Sequence, residues 1–164
     1  MVYRICGIDP GTATVGYGVV DLHGKEKFEL IAAGIIETSR QLDAGQRLKI
    51  IREDLLSLIE LYKPDVMVVE AIFFARNAKT VVSVAQARGV ILEASAASNV
   101  AVAEYTPMQV KLNITGFGRA EKKEVQNRVA SLLGHGSIIK PDDAADAVAL
   151  AICHSRMAPM PSLA

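Results

Sequence analysis

Two carboxylates of this chain stand at the ends of apolar segments that predict buried strands. Asp9 follows residues 2–8, and Glu70 closes residues 65–70. If these strands are parallel neighbours, both carboxylates lie at the same edge of one sheet. The Pro-Gly turn at 10–11 lets the backbone after Asp9 approach a phosphate or a hydrated ion closely. Taken alone, an Asp-Pro-Gly sequence indicates no more than a tight turn.

A further group of carboxylates opens the last predicted helix, directly after Pro141. Asp143 and Asp146 are three residues apart, and Asp142 and Asp146 are four apart, so either pair shares one face of the first turn. The spacing does not decide between Asp142 and Asp143. Acidic residues in a first turn also complement the helix dipole. This helix, however, is otherwise so apolar that it must pack on the sheet, which places its first turn beside the strand ends.

Carboxylates brought together in this way would repel one another and raise one another's pKa values. A fold retains such a cluster most readily when divalent cations occupy it. All the donors are oxygen atoms, which favours hard ions such as Mg²⁺ or Mn²⁺. Two such ions, roughly 3.5 to 4 Å apart, suit the hydrolysis of a phosphodiester, because one activates water and the other stabilises the leaving oxygen.

The elements that must position these acids follow from composition and periodicity. A chain of 164 residues with 51% hydrophobic but only 5% aromatic residues has an aliphatic core, which is typical of strands covered by helices. Three antiparallel strands open the chain, and strands and helices then alternate. We therefore predict an α/β fold, a mixed five-stranded sheet with helices on both faces. The predicted strands are 2–8, 14–20, 30–38, 65–70 and 100–105, and the predicted helices are 43–62, 78–98, 108–114, 120–133 and 142–157.

Several smaller features complete this prediction. Residues 1–158 form one domain, and residues 159–164 form a disordered tail. Gly16 and Gly18 lie on one face of their strand, which indicates that another element packs closely there. Cys6 and Cys153 are predicted as core thiols of a reduced, cytoplasmic protein. No apolar run reaches 18 residues, so neither a membrane span nor a signal peptide is expected. His154, near a helix C-terminus, is predicted to be structural or favoured by the helix dipole.

The formal net charge is zero, but the charges are unevenly distributed. Residues 71–140 carry nine basic and four acidic side chains, and the segments on either side are acidic. Clusters of basic residues around loops that contain Gly or Phe favour contact with a phosphate backbone. The residues predicted to form this track are Arg76, Lys79, Lys111, Arg119, Lys122 and Lys123.

Five motifs follow one another along the chain. They are Gly-Ile-Asp-Pro-Gly-Thr at 7–12, Val-Val-Glu-Ala-Ile-Phe at 68–73, Gln-Ala-Arg-Gly at 86–89, Ala-Glu-Lys at 120–122 and Asp-Ala-Ala-Asp-Ala at 143–147. Together these motifs resemble the RuvC family of Holliday junction resolvases. The resemblance implies a ribonuclease H-like fold and a homodimer. It also implies symmetric, Mg²⁺-dependent nicking of a four-way DNA junction, in recombination and repair, with a branch-migration motor of RuvA and RuvB type as a partner.

The resemblance also assigns roles to residues. The family's catalytic, metal-binding acids fall on Asp9, Glu70, Asp143 and Asp146, which leaves Asp142 with no known role. Its phosphate-facing lysines fall on Lys111 and Lys122. Its junction-inserting aromatic falls on Phe73, although Phe74 directly after it leaves open which ring inserts.

The helix 78–98 is rich in small residues, so it either packs under the sheet or forms a two-fold dimer seam. The resemblance favours the seam. In that case a glutamate at position 85 or 87 is expected to disrupt the dimer.

Two other functions fit part of the pattern. A ribonuclease H-like nuclease acting on structured RNA would use the same acids, but it does not call for the Phe73 loop. An actin-like nucleotide-binding protein has a similar phosphate loop after a strand, but that architecture uses two lobes and this chain is long enough for one.

Overall fold

The computed structural model describes residues 1–72 and 78–158, except for the side chains of residues 78 and 79. Five strands and five helices follow one another in these ranges. The strands are β1 (Val2–Asp9), β2 (Thr14–His23), β3 (Lys27–Glu37), β4 (Val66–Glu70) and β5 (Ala101–Tyr105). The helices are α1 (Ala44–Tyr62), α2 (Ala78–Ala97), α3 (Pro107–Thr115), α4 (Lys122–Leu132) and α5 (Asp142–Met157). The predicted tail at 159–164 lies outside the described residues.

The strands form one mixed sheet in the order β3-β2-β1-β4-β5. β1 pairs antiparallel with β2 and parallel with β4. In the parallel register Ile8 lies opposite Val69, so Asp9 and Glu70 are the next residues at the same edge. The predicted α/β architecture and the expected meeting of these two strand ends are both confirmed.

Helices cover both faces of the sheet, and each face has its own apolar core. One core joins the sheet to α1 and α2 and includes Ile8 and Met67. The other joins it to α3, α4 and α5 and includes Ile5 and Val68. Because side chains alternate along a strand, Asp9 lies on the same face as Ile5. The acid at the end of β1 is therefore directed to the face that α5 covers.

Three glycines let α5 lie directly on β1 and β2. A Cβ atom at Gly7 would collide with the backbone of Ala147, and one at Gly16 would collide with the backbone of Asp143. A Cβ atom at Gly18 would lie 2.8 Å from the backbone nitrogen of Val148. Only hydrogen atoms fit between the sheet and the helix here, which confirms the close packing predicted from the glycines of β2.

The hairpin between β2 and β3 extends further than the sequence predicts. The predicted end of β2 at residue 20 was wrong, because Asp21 continues the strand although it is polar and only 4% exposed. Its carboxylate accepts hydrogen bonds from Nε and Nη2 of Arg4 on the adjacent β1, at 2.7 and 2.8 Å. A buried acid that is paired in this way is compatible with a central strand.

Helix α2 packs under the sheet with one face only. Ala87, Ile91 and Ala94 are fully buried in the core with α1, whereas Val82 is 60% exposed. Position 87 was therefore a wrong choice for a surface substitution, since a glutamate there would enter the core. Position 85 lies on the exposed side.

Across the part of the chain that the structure describes, no helix combines the length and the apolar character that crossing a membrane requires.

Candidate active site

The carboxylates of three elements meet at one edge of the sheet. Asp9 ends β1, and Asp143 and Asp146 lie in the first two turns of α5, which the glycine contacts hold against the strands. Each of the three offers an oxygen atom, and these atoms all lie within 4.8 Å of one another. Glu70, at the end of β4, adds a fourth carboxylate whose charge acts on Asp9.

Burial and mutual repulsion both act on this acidic cluster, defined here as Asp9, Glu70, Asp143 and Asp146. Burial raises the pKa of Asp9 to about 8, and the charges of Glu70, Asp146 and Asp143 contribute to the rise. Burial is also the main reason that the pKa of Glu70 is raised, followed by the charge of Asp146. The same effect raises the pKa of Asp146 despite the nearby Lys122. The donors are all oxygen atoms with little compensating charge, which fits the binding of hard divalent cations.

Thr14, the first residue of β2, holds one acid of the cluster in place. Its hydroxyl donates a hydrogen bond of 2.7 Å to Oδ2 of Asp143. The sequence predicts Thr14 only as the start of a strand, so this contact was missed. A signal was available, because Thr14 and Gly16 lie on the same strand face and Gly16 pairs with Asp9 in the antiparallel register.

Asp142 is separated from the cluster by its interactions with α4. Its Oδ2 lies 3.4 Å from Nζ of Lys122, and its Oδ1 accepts a hydrogen bond of 3.1 Å from Nε2 of Gln126. The hydrogen bond from Gln126 and the charge of Lys122 lower the pKa of Asp142. The helix spacing left Asp142 and Asp143 as equivalent choices, and in the structure it is Asp143 that lies with Asp9 and Asp146.

Lys122 connects the acidic cluster to a small cavity. Its Nζ lies 3.2 Å from Oδ2 of Asp146. Partial burial alone would lower the pKa of Lys122, but the carboxylates of Asp146 and Asp142 raise it. Lys122, Lys111, Glu70 and Asp146 line a cavity of about 180 Å³ that also has apolar walls from α3, α4 and α5. Two ammonium groups beside these carboxylates can bind a phosphate whose other oxygens face the cluster.

The remaining residues predicted to contact DNA are partly described. Lys123 and Arg119 are exposed at the start of α4 and in the loop before it. Phe73, Phe74 and Arg76 lie outside the described residues. Lys79 belongs to α2, but its side chain is not described. The structure therefore places Lys111, Arg119, Lys122 and Lys123 on α3, α4 and the segment that joins them.

The fold and the site together define a class of protein. An α/β sheet that ends in a cluster of carboxylates, with lysines beside it, is typical of nucleases that hydrolyse phosphodiesters with divalent cations.

Comparisons with known proteins identify the family within this class. The model of the family "Crossover junction endodeoxyribonuclease RuvC" matches residues 5–154. A crossover junction endodeoxyribonuclease RuvC from Fusobacterium nucleatum is 50% identical over 151 residues, which cover 92% of this chain and 79% of that protein. A solved Thermus thermophilus RuvC structure is 36% identical, with a TM-score of 0.87, and the match covers 95% of this chain and 94% of the other. A T. thermophilus RuvC solved in complex with a Holliday junction substrate is 32% identical, with a TM-score of 0.84 and coverage of 94% and 93%.

The chain belongs to the RuvC family of crossover junction endodeoxyribonucleases. This confirms the resemblance drawn from its motifs, the ribonuclease H-like fold and the prediction of an endonuclease. It also favours the first of the three functions that the sequence left open. Family membership together with the acidic cluster implies dependence on a divalent cation.

Proposed function

We propose that this nuclease resolves four-way (Holliday) DNA junctions by nicking two strands symmetrically, in homologous recombination and DNA repair. The observation that supports this most directly is the clustering of Asp9, Asp143 and Asp146 beside Glu70 in a chain of the RuvC family. A RuvC of the same fold that was solved in complex with a Holliday junction substrate supports four-way DNA as the substrate.

The four acids are assigned as ligands of two divalent cations per subunit, Mg²⁺ or Mn²⁺. The all-oxygen donor set and the raised pKa values of Asp9, Glu70 and Asp146 support this assignment. When bound, the cations would activate the attacking water and neutralise charge on the leaving oxygen.

The chain's own residues hold the reacting groups in place. Thr14 fixes the orientation of the Asp143 carboxylate through its hydrogen bond. Lys111 and Lys122, which line the cavity with Glu70, are assigned to the scissile phosphate or its neighbour. Because these lysines come from two helices that both pack on α5, the phosphate and the acids share one rigid frame.

The rest of the basic track would follow the arms of the junction. Arg119 and Lys123 are exposed beside the cavity, and Arg76 and Lys79 are assigned to the same track from the sequence. Phe73 is proposed as the aromatic that inserts at the junction, with Phe74 as the alternative. A ring stacked on an unpaired base is worth about 1 to 3 kcal/mol.

Symmetric nicking requires two sites, and we assign the exposed face of α2 to a two-fold dimer seam. Val82 on this face is 60% exposed, and small residues such as Ala85 and Gly89 leave it flat enough for another helix to approach. Ala85→Glu should shift the protein from dimer to monomer in sedimentation. A variant that stays dimeric would refute the seam.

A motor of RuvA and RuvB type is the proposed partner, and the cytoplasm is the proposed compartment. Cys6 and Cys153 are both free and buried, which suits a reducing environment.

The deciding experiment is cleavage of a labelled four-way junction, with linear duplex and structured RNA as competitors, with and without Mg²⁺. Paired symmetric nicks that require Mg²⁺ and survive an excess of duplex are expected. Preferential cutting of RNA would retain the fold and the acids but refute the proposed substrate.

A further inference from the structure

Asp142 is an acid beside the site to which neither the helix spacing nor the family resemblance gives a role. It directly precedes Asp143, yet its carboxylate pairs with α4 rather than with the acidic cluster. Lys122 and Gln126, which hold it at 3.4 and 3.1 Å, are four residues apart and therefore share one face of α4. The Asp142 carboxylate is thus fixed from two sides, although its side chain is 66% exposed.

The Lys122 ammonium is shared between two carboxylates. Nζ lies 3.2 Å from Oδ2 of Asp146, inside the cluster, and 3.4 Å from Oδ2 of Asp142, outside it. In the absence of cations, Lys122 therefore neutralises part of the charge of Asp146. A divalent cation that binds Asp146 would repel this ammonium, which must then retain or find another anionic partner.

We propose that Asp142 is a positioning residue for Lys122, because it keeps the ammonium at the rim of the cavity when a cation takes its place on Asp146. The inference rests on the proposed function, since it takes Asp146 as a cation ligand. Without Asp142, Asp146 would be the only carboxylate that the described residues place within 4.0 Å of the ammonium, and the ammonium would compete with the cation for it. The same tether would keep Lys122 beside the cavity, where a phosphate can bind.

A double-mutant cycle on cation binding tests this role. Mn²⁺ binding to the full chain, without DNA, is measured by calorimetry for the wild type, Asp142→Asn, Lys122→Met and the double variant. Asp142→Asn should weaken binding by about 3- to 10-fold, a coupling typical of neighbouring groups in one network. Lys122→Met should tighten binding, because the competitor is absent. In that background Asp142→Asn should change the affinity by less than about 2-fold, as for an exposed, screened charge.

Matched variants control for charge and length. Asp142→Glu keeps the carboxylate and should restore most of the affinity. Asp54→Asn removes an exposed acid from α1, on the opposite face of the sheet, and should leave Mn²⁺ binding unchanged. Lys122→Gln provides a second background if Lys122→Met folds poorly. In junction cleavage, the Asp142→Asn defect should appear as a raised Mn²⁺ requirement.

The outcomes separate this inference from the function on which it rests. Equal weakening by Asp142→Asn in both backgrounds would show a through-space charge effect and overturn the positioning role alone. If the wild type binds no Mn²⁺, the proposed cation site fails and this inference fails with it.

Discussion

At its first turns α5 carries Asp143 and Asp146 into a group of carboxylates that repel one another, whereas near its other end it carries a histidine with a partner on each ring nitrogen. His154 is only 6% exposed. Its Nε2 lies 3.3 Å from the hydroxyl of Tyr3, and its Nδ1 lies 2.9 Å from the hydroxyl of Tyr105. One helix therefore carries polar groups at both ends, partly buried at the first and buried at the second, but in opposite electrostatic situations.

The difference separates structural from functional polar groups. A neutral imidazole has one donor and one acceptor, and two tyrosine hydroxyls satisfy both, so His154 needs nothing further. Burial lowers its pKa, which favours the structural one of its two predicted roles. The carboxylates at the first turns are only partly compensated, by Lys122 beside Asp146, so a cationic ligand can still improve their energy.

Asp9→Asn gives the largest expected effect and acts only at the acidic end. Cleavage should fall by about 1,000-fold, because charge stabilisation by the cations is worth several kcal/mol and each 1.4 kcal/mol is tenfold in rate. Binding to the junction should persist, since the basic residues are unchanged. Gel-shift and cleavage assays on one preparation measure both. A variant that cuts at the wild-type rate would refute the site assignment.

His154→Leu acts near the other end of α5 and should lower stability without slowing DNA cleavage. Removing the imidazole leaves the hydroxyls of Tyr3 and Tyr105 without their partner, which should cost about 1 to 3 kcal/mol of unfolding free energy. The cleavage rate of the folded protein should stay within about 2-fold of the wild type. Chemical denaturation measures the first and junction cleavage the second. Tyr3→Phe, which removes one hydrogen bond, should cost less. If His154→Leu cleaved slowly at normal stability, the purely structural role of His154 would be refuted.

Thr14→Val tests the one hydrogen bond described above that holds an acid of the cluster in place. The substitution keeps the shape but deletes the hydrogen bond to Asp143. Cleavage should fall by about 10-fold, the lower end of the range for groups that orient metal ligands, with little change in stability. Thr14→Ser retains the hydroxyl and should remain close to the wild type. Equal loss in both variants would show that the methyl group, not the hydrogen bond, is important.

The smallest expected effect is on the pH dependence of stability. Asp9, in the acidic cluster, and His154, near the other end of α5, should contribute to it with opposite signs. Folding raises the pKa of Asp9 from 3.8 to about 8, so its contribution to stability declines as the pH rises through this interval. Folding lowers the pKa of His154 from 6.5, so its contribution is lost as the pH falls below that value. With chelator present, the Tm should decline between about pH 6.5 and pH 8, and Asp9→Asn should flatten the decline. For a chain of this length, a Tm shift of roughly 2 to 4 °C corresponds to a change of about 1 kcal/mol in the free energy of unfolding. Calorimetry that shows the same slope in both proteins would contradict the assignment.

The strands and helices could be predicted because their apolar periods are clear. The convergence of Asp9 and Glu70 followed from two apolar runs that each end in a carboxylate, and the close helix followed from Gly16 and Gly18. The role of Asp142 could not be predicted, because helix spacing defines a face but not which neighbour meets it. That distinction depends on Lys122 and Gln126, which lie on another helix.

Other contacts also could not be predicted from the apolar periodicity of the sequence. The pairing of Arg4 with Asp21 extended a strand beyond its apolar run, because a hydrogen-bonded acid tolerates burial. Which face of α2 is exposed depends on α1, and this is why the sequence could not separate Ala87, which lies in the core, from Ala85 as a position in the dimer seam.

The strand order has a consequence for folding kinetics. β2 and β3 join β1 through short hairpins, whereas β4 reaches β1 only after the α1 crossover and α5 only at the end of the chain. Asp9, Glu70 and Asp143 therefore meet only when the contacts of longest sequence separation close, which are the slow ones. We expect the repulsion among them to be absent from early folding and to arise at the last step. Mn²⁺ should then slow unfolding more than it accelerates refolding, as stopped-flow measurements at several Mn²⁺ concentrations would show.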